Sequence, residues 1–259
     1  MKVALYTNIN KDKNLKYTNS LINYLQNKDC EIIKNDIWNS ADFIIVLGGD
    51  GTMLRAAKMS NSPILGINLG NLGYLTDVSI DSAFKSIDKI FENKFLTEKR
   101  MMLRCDVLNK SYIALNDIVI YRGLSPRLIK STIHINGEFM AKIRADGIII
   151  SSPTGSTAYN LSSNGPILKP DAQMIVITPI SPHSLSSRPA VISHTDEISI
   201  DFDNSEGFSI ALDGEAIPMD STKKRIELKI KKDKKIANII KTNHLSFYEI
   251  LRKKMNRDN

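Results

Sequence analysis

Apolar and polar positions along the first hundred residues alternate between two periods. Residues 2 to 7 (KVALYT) read as a strand, after which Leu15, Thr18, Leu21, Ile22 and Leu25 recur at helical spacing. Glu31-Ile32-Ile33 predicts a short second strand, residues 36 to 40 a break, and Phe43-Ile44-Ile45-Val46-Leu47, rich in β-branched side chains, a buried strand. Directly behind it, Gly48-Gly49-Asp50-Gly51-Thr52 predicts a tight turn into a helix with Met53, Leu54, Ala57 and Met59 on its inner face, ending before Pro63. Ile64 to Asn68 read as the next strand, followed by the glycine-rich loop Leu69-Gly70-Asn71-Leu72-Gly73. Asp81 is expected to cap a helix carrying Ala83, Phe84, Ile87, Ile90 and Phe91 inward. Such alternation implies an α/β N-terminal domain over residues 1–100, with an open, mainly parallel sheet and helices on its faces.

Beyond residue 100 the helical period gives way to short strand patterns. They cover 101–108, 112–121, 129–135, 138–143, 147–151, 174–178, 196–202, 207–212 and 225–231. Asn136-Gly137 predicts a hairpin, because a type I′ turn needs positive φ at both central positions. The expectation is a mostly antiparallel, all-β C-terminal domain over 101–245. Ser246, with Glu249 at capping-box spacing, opens a final helix (246–259) expected to pack on the N-terminal domain.

Composition narrows the function classes. With 42% hydrophobic and 24% charged residues over 259 positions, the chain has the balance of a globular protein with a sizeable core. No apolar run approaches a membrane span or a signal h-region, so a cytoplasmic protein without membrane attachment is expected. Cys30 and Cys105 lie far apart, and His134, His183, His194 and His244 share no ligand spacing with them, which argues against a disulfide framework or a zinc site. The net charge of +7 raises the question of nucleic acid, with Lys223, Lys224, Arg225, Lys229, Lys231, Lys232, Lys234 and Lys235 clustered. Ile226, Leu228 and Ile230 alternate through that cluster without an aromatic platform, so it reads as a half-buried strand with a solvated lysine face.

The glycine turn carries the first chemistry. Successive glycines let backbone N–H groups converge on an anion at a helix N-terminus, yet Asp50 would repel a phosphate there unless it binds a metal or takes a proton. The turn lacks the lysine of a P-loop and has Leu54 where a dinucleotide fingerprint needs its third glycine. A plain strand-to-helix turn is the alternative. Asn116-Asp117 sits in the apolar run Ala114-Leu115-Asn116-Asp117-Ile118-Val119-Ile120, where a polar pair calls for a ligand or a network, unless it marks a strand end. Lys142, Arg144 and Asp146 share one strand face and suit a ligand with phosphates and hydroxyls. The run from Ser151 to Ser162, dense in hydroxyls and holding Tyr159, suits a base or ribose, although a solvated loop has similar composition.

Together these stretches resemble the bacterial-type NAD kinases. GGDGT at 48–52, GINLGNLGYLTD at 66–77, the Asn-acid pair at 116–117, DGIIISSPTGSTAYNLSSNGPIL at 146–168 and ITPISPHSLSSRPAVI at 177–192 match that family in order, over nearly the whole chain. GGDG alone is shared with lipid kinases and phosphofructokinases. The resemblance implies phosphorylation of the 2′-hydroxyl of the adenosine ribose of NAD by ATP or polyphosphate, giving NADP, with a divalent cation (Mg²⁺) and no tightly bound organic cofactor. It implies Asp50 as catalytic base with Gly51 beside it, and Asn116 and Asp117 at the pyrophosphate and ribose. Thr157, Ala158, Tyr159, Asn160, Leu161 and Ser162 would meet the adenosine. Arg144, Asp146 and Ser181 would line the nicotinamide side, partly across a subunit contact in a homodimer or homotetramer, and Arg55 and Glu215 match positions that touch ligand in some members. Where the family more often has Asn-Glu, this chain has Asn116-Asp117. A lipid kinase sharing GGDGT and a dinucleotide-binding regulator without activity are the competing readings; neither nucleic acid nor membrane is an expected partner.

Overall fold

The computed structural model describes residues 1–33, 38–70, 72–123, 127–184, 186–203, 207–218, 225–243 and 245–255. Asp36, Asn71, Lys223, Lys224 and His244 lie outside them. The chain divides into two compact units, Met1–Arg100 with Ile236–Asn259, and Met101–Lys235.

In the first unit, strands β1 (Lys2–Thr7), β2 (Glu31–Ile33), β3 (Phe43–Gly48) and β4 (Ile64–Asn68) lie parallel in the order β2-β1-β3-β4. Every residue of β3 and β4 is buried, as the unbroken apolar runs require of a parallel sheet covered on both faces. Helix α1 (Lys16–Gln26) buries Leu21 and Leu25, helix α3 (Ala83–Phe91) buries Ala83, Ile87 and Ile90, and these join Phe43, Ile45 and Ile67 in one core. Helix α2 (Asp50–Met59) starts straight from β3, and the two-residue strand β5 (Val78–Ser79) pairs with β4. The chain winds one way from β1 to β2 and the other way from β1 to β3. The carboxyl ends of β1 and β3 therefore flank the point where open α/β sheets bind ligands. Three expectations fail here. Asp81 opens only a single tight turn and Ser82 precedes α3 without a side-chain cap, Phe84 is 38% exposed against Tyr24, and Met59 is 56% exposed because α2 ends there.

The second unit is built from antiparallel strands. One sheet follows the order β13-β12-β11-β8-β15-β16, comprising β8 (Asp117–Arg122), β11 (Gly147–Ser151), β12 (Met174–Ile180), β13 (Ala190–Ser193), β15 (Phe208–Leu212) and β16 (Glu215–Ile217). Another runs through β10 (Glu138–Ala145), β9 (Ile129–Ile135), β14 (Ile198–Asp203) and the first part of β17 (Arg225–Lys241), where β6 (Leu96–Val107) and β7 (Lys110–Ala114) also join. Alternate residues of the strands, among them Leu103, Ile118, Ile133, Ile148, Ile200, Ile210 and Leu228, share one core. Asn136 (φ 53°) and Gly137 (φ 85°) form the expected turn between β9 and β10. The predicted strand 112–121 is instead two, β7 and β8, interrupted at Leu115-Asn116. The cluster of lysines near 231–235 does not end β17, which continues to Lys241, where Ile239 pairs with Ile64 of the first unit's sheet.

Helix α5 (Phe247–Met255) belongs to the first unit. Its capping box forms as predicted, with Ser246 N–H donating to Glu249 Oε2 (2.7 Å) and Glu249 N–H to Ser246 Oγ (3.2 Å).

Candidate active site

Asp50 is the first residue of α2, and its carboxylate turns away from the glycine turn toward the loop after β4. Oδ2 accepts a hydrogen bond from the Tyr74 N–H (2.8 Å), and Oδ1 accepts from Leu75 N–H (3.1 Å), Thr76 N–H (3.1 Å) and Thr76 Oγ1 (3.0 Å). Thr76 Oγ1 also accepts from Asn68 Nδ2 (2.7 Å), and Asn68 Oδ1 from Gly70 N–H (2.7 Å), so one network ties the second glycine-rich loop to Asp50. The approach is tight: a Cβ on Gly73 would stand 1.9 Å from Asp50 Oδ1. A carboxylate has about four lone-pair directions, and Oδ2, with one donor, keeps room for a further partner.

Behind this loop Asp77 pairs with Lys241, Oδ2 to Nζ 3.1 Å, with both side chains at most 7% exposed. Desolvation pushes the Asp77 carboxyl above its usual range, with Lys241 pulling the other way.

At the carboxyl end of β1, Lys11 Nζ reaches to 3.1 Å from where a Cβ of Gly49 would stand. The lysine that no local motif supplied to the glycine turn thus comes from another loop of the same unit. Asn8 Nδ2 and Gly49 N–H both donate to Thr52 Oγ1 at 3.4 Å, fastening that loop to α2. Gly51 and Arg55 are exposed along α2. Among the described residues, no three or more His, Cys, Asp or Glu side chains gather as a metal cage.

In the second unit, Asn116 and Asp117 sit between two turns. Asp213 accepts the N–H groups of Leu115 (3.0 Å), Asn116 (2.7 Å) and Asp117 (3.4 Å), which explains why the predicted strand breaks at this point. From the other side Ser152 N–H donates to the Asn116 carbonyl (2.8 Å) and Ser152 Oγ to the Leu115 carbonyl (2.5 Å). A Cβ on Gly155 would fall 2.1 Å from the Asn116 carbonyl oxygen, so the 152–162 turn presses directly on this peptide. Asp117 is 5% exposed, and burial first, then the charge of Asp213, push its carboxyl up to about 7.

The 152–162 segment, without helical periodicity in sequence, folds as a tight turn (Thr154–Thr157) and one turn of helix, α4 (Tyr159–Ser162). Asn160 is its internal clamp. Fully buried, it donates to the Ser156 carbonyl (3.1 Å) and the Pro166 carbonyl (3.0 Å) and accepts from Thr178 Oγ1 (2.7 Å). Around that clamp Thr157, Ala158 and Leu161 are half-buried, Ser162 is exposed, and Tyr159 presents its ring at 46% exposure.

Arg144, Asp146 and Ser181 form a separate group. Asp146 N–H bonds the Ile180 carbonyl, His183 N–H bonds the Arg144 carbonyl (2.8 Å), and the Asp146 carboxylate pairs with Arg122 (2.6 Å). Ser181 holds a left-handed φ of 45°. Residues 146 and 152 flank β11, so this group stands roughly 20 Å along the strand from Asn116 at about 3.4 Å per residue. Glu215 is exposed beside the Asp213-Gly214 turn.

Residues 31–95 match the model of the ATP-NAD kinase N-terminal domain and residues 115–242 that of the ATP-NAD kinase C-terminal domain. The NAD kinase of Thermoanaerobacter pseudethanolicus is 38% identical over 281 aligned positions, covering 98% of both chains. The chain belongs to the NAD kinase family. Its NAD kinase relatives include that of Wigglesworthia glossinidia brevipalpis, 42% identical over 229 positions, covering 85% of this chain and 77% of the other. Two solved NAD kinase-type structures share the fold. Yeast NADH kinase complexed with NADH superposes with a TM-score of 0.85 at 26% identity, covering 97% of this chain and 85% of the other. The NAD kinase of Archaeoglobus fulgidus in complex with ATP gives 0.83 at 25% identity, covering 99% of each. In this chain, Asp50, Gly51 and Arg55 fall in the N-terminal match and the other candidate residues in the C-terminal match. Sequence reasoning did not single out Lys11 or Asp213, and took Thr76 and Ser152 only as members of longer runs; Asp213-Gly214 carries a local signal, an Asp-Gly turn between apolar runs.

Proposed function

We propose that this chain phosphorylates the 2′-hydroxyl of the adenosine ribose of NAD with ATP as donor, giving NADP and ADP. The observation that carries the reading is Asp50, fixed by four hydrogen bonds at the phosphate-facing turn with one oxygen still able to accept. A ribose hydroxyl is a poor nucleophile until its proton has somewhere to go. In the step, the O2′–phosphorus bond forms, the bond from the γ-phosphorus to the β–γ bridging oxygen breaks, and the hydroxyl proton passes to Asp50 Oδ2. Lys11, Gly51 and the N-terminus of α2 offset charge on the donor phosphates, with Arg55 further along the helix. A divalent ion such as Mg²⁺ would be held chiefly by the nucleotide's phosphate oxygens and water, which it favours over all-protein cages. Bound there, it would neutralise charge on the transferring group.

Asn116 and Asp117 hold the pyrophosphate and ribose region of NAD, Tyr159 offers a stacking face to the base, and Thr157, Ala158, Leu161 and Ser162 line it. Asn160 contributes by shaping the turn. The separation of Arg144, Asp146 and Ser181 from Asn116 supports a role toward NAD through a second copy of the chain in a homodimer or homotetramer, and Glu215 acts at the rim. Polyphosphate in place of ATP is a donor the same turn suits. A cytoplasmic setting fits free Cys30 and Cys105. The test is to incubate the purified chain with ATP, Mg²⁺ and NAD and to read NADP with an NADP-specific dehydrogenase. NADP is the expected product; phosphorylated diacylglycerol with no NADP overturns the reading.

A further inference from the structure

We infer that Asp213 is a positioning residue for the dinucleotide: its carboxylate bends the Leu115–Asp117 backbone into the shape in which Asn116 and Asp117 meet NAD. The inference rests on the NAD kinase reading above and deepens it.

Hydrophobic pattern alone would run one strand through 112–121, with Leu115 and Asn116 donating to a neighbour's ladder. Instead three successive N–H groups point at one carboxylate, and Asp213 N–H returns a bond to the Asp117 carbonyl (3.0 Å), closing a ring across the two segments. Hydrogen bonds to an ionised acceptor are about twice as strong as neutral ones, enough to replace the lost ladder. The device is itself held in place. Asp213 (φ 51°) and Gly214 (φ 79°) are the two central residues of the β15–β16 hairpin, whose register is fixed by Leu212 opposite Glu215. With Ser152 gripping the Asn116 carbonyl and Asp213 its N–H, both polar groups flanking this residue's Cα are spoken for, and its backbone has no freedom left to turn.

The arrangement has an electrostatic consequence. Asp117 is buried, its partner on β11 is the neutral Ser151, and Asp213 adds a negative charge beside it, so burial first and then that charge raise the Asp117 carboxyl to about 7. Asp117 then exchanges its proton in the range where the enzyme would work, and as a carboxylate it accepts from ribose hydroxyls. NAD affinity is expected to strengthen as pH rises through that value.

The experiment uses the full chain and its Asp213→Asn, Asp213→Ala and Asp117→Asn variants, with kcat and both KM values followed from about pH 5.5 to about 8.5. Asp213→Asn is expected to raise KM for NAD about tenfold or more while KM for ATP stays within about twofold. It also removes the charge, so the pH step in KM for NAD moves to lower pH; in Asp117→Asn the step is absent. KM values for both substrates rising together, or a pH step that does not move in Asp213→Asn, overturns the inference, because a purely structural loss predicts that pattern. If neither Asp213 variant folds, the comparison of wild type with Asp117→Asn decides, a step that persists in the latter overturning the link. Should wild type give no NADP, the functional reading fails instead, and calorimetry of NAD on wild type and Asp213→Asn still reads the positioning.

Discussion

Each unit presents an acidic candidate, Asp50 or Asp117, and the two treat it in opposite ways. In the first, Asp50 is half-buried and surrounded by donors, with the 74–76 backbone wrapped around it. In the second, Asp117 is nearly fully buried, its carboxyl makes no hydrogen bond to the described residues, and a second carboxylate stands close by. The first arrangement fixes the carboxylate in one geometry. The second leaves a buried carboxyl, pushed up to about 7, without a hydrogen-bond partner among the described residues. Backbone donors are spent on Asp50 itself, but in the other unit Asp213 takes them, so that Asp117 is held by its main chain and free at its side chain.

The largest test of this contrast is Asp50→Asn. The variant keeps the shape but cannot take the proton, and kcat should fall on the order of 10²–10⁴-fold. NAD binding, followed by calorimetry, should change less than about threefold. Loss of binding with residual turnover unchanged would move the base elsewhere.

A matched pair of glycine substitutions sharpens the comparison next. In Gly73→Ala the new Cβ meets Asp50 Oδ1 at 1.9 Å, and in Gly155→Ala it meets the Asn116 carbonyl oxygen at 2.1 Å. Displacements near 1 Å at reacting groups cost about 10²-fold, so Gly73→Ala should lower kcat by about that much. Gly155→Ala should act chiefly on KM for NAD. Identical kinetic signatures for the two variants would erase the division of labour between the units.

The smallest effect is thermal. Asp117 ionises in the folded chain at about 7 against an ordinary 3.8, so the stability tied to its protonated form is full below the ordinary value and lost as pH rises through about 7. Asp117→Asn cannot ionise. Its melting temperature relative to wild type should therefore improve by about 2–4 °C more at pH 8.5 than at pH 6, read by calorimetry. An equal difference at both pH values would mean that the carboxyl is not perturbed.

Legibility in the sequence followed the range of the interactions. Buried strands such as Phe43–Gly48, the Asn136-Gly137 turn and the Ser246–Glu249 box are set by neighbours a few residues apart, and all were readable. The Asn116 break was legible only as the alternative of a strand end, because its cause, Asp213, lies 97 positions away. Lys11 escaped for the same reason: only the parallel pairing of β1 with β3 brings its loop to the glycine turn. Asp50 stood out as chemically odd beside phosphate, but the partners that hold it, in 74–76, became visible only once β4 lay beside β3.

The strand from Arg225 to Lys241 sets an order of manufacture. The first unit is written in two instalments, Met1–Arg100 and Ile236–Asn259, with the whole second unit between them. As the ribosome emits the chain, the second unit has all its strands before the first has received Ile239 for its sheet edge, Lys241 for Asp77, or helix α5. Domains fold as units as they emerge, so the second unit is complete first. The half carrying Asp50 waits for the last two dozen residues, during which its sheet edge at β4 and the Asp77 carboxylate stand open to whatever a nascent chain meets.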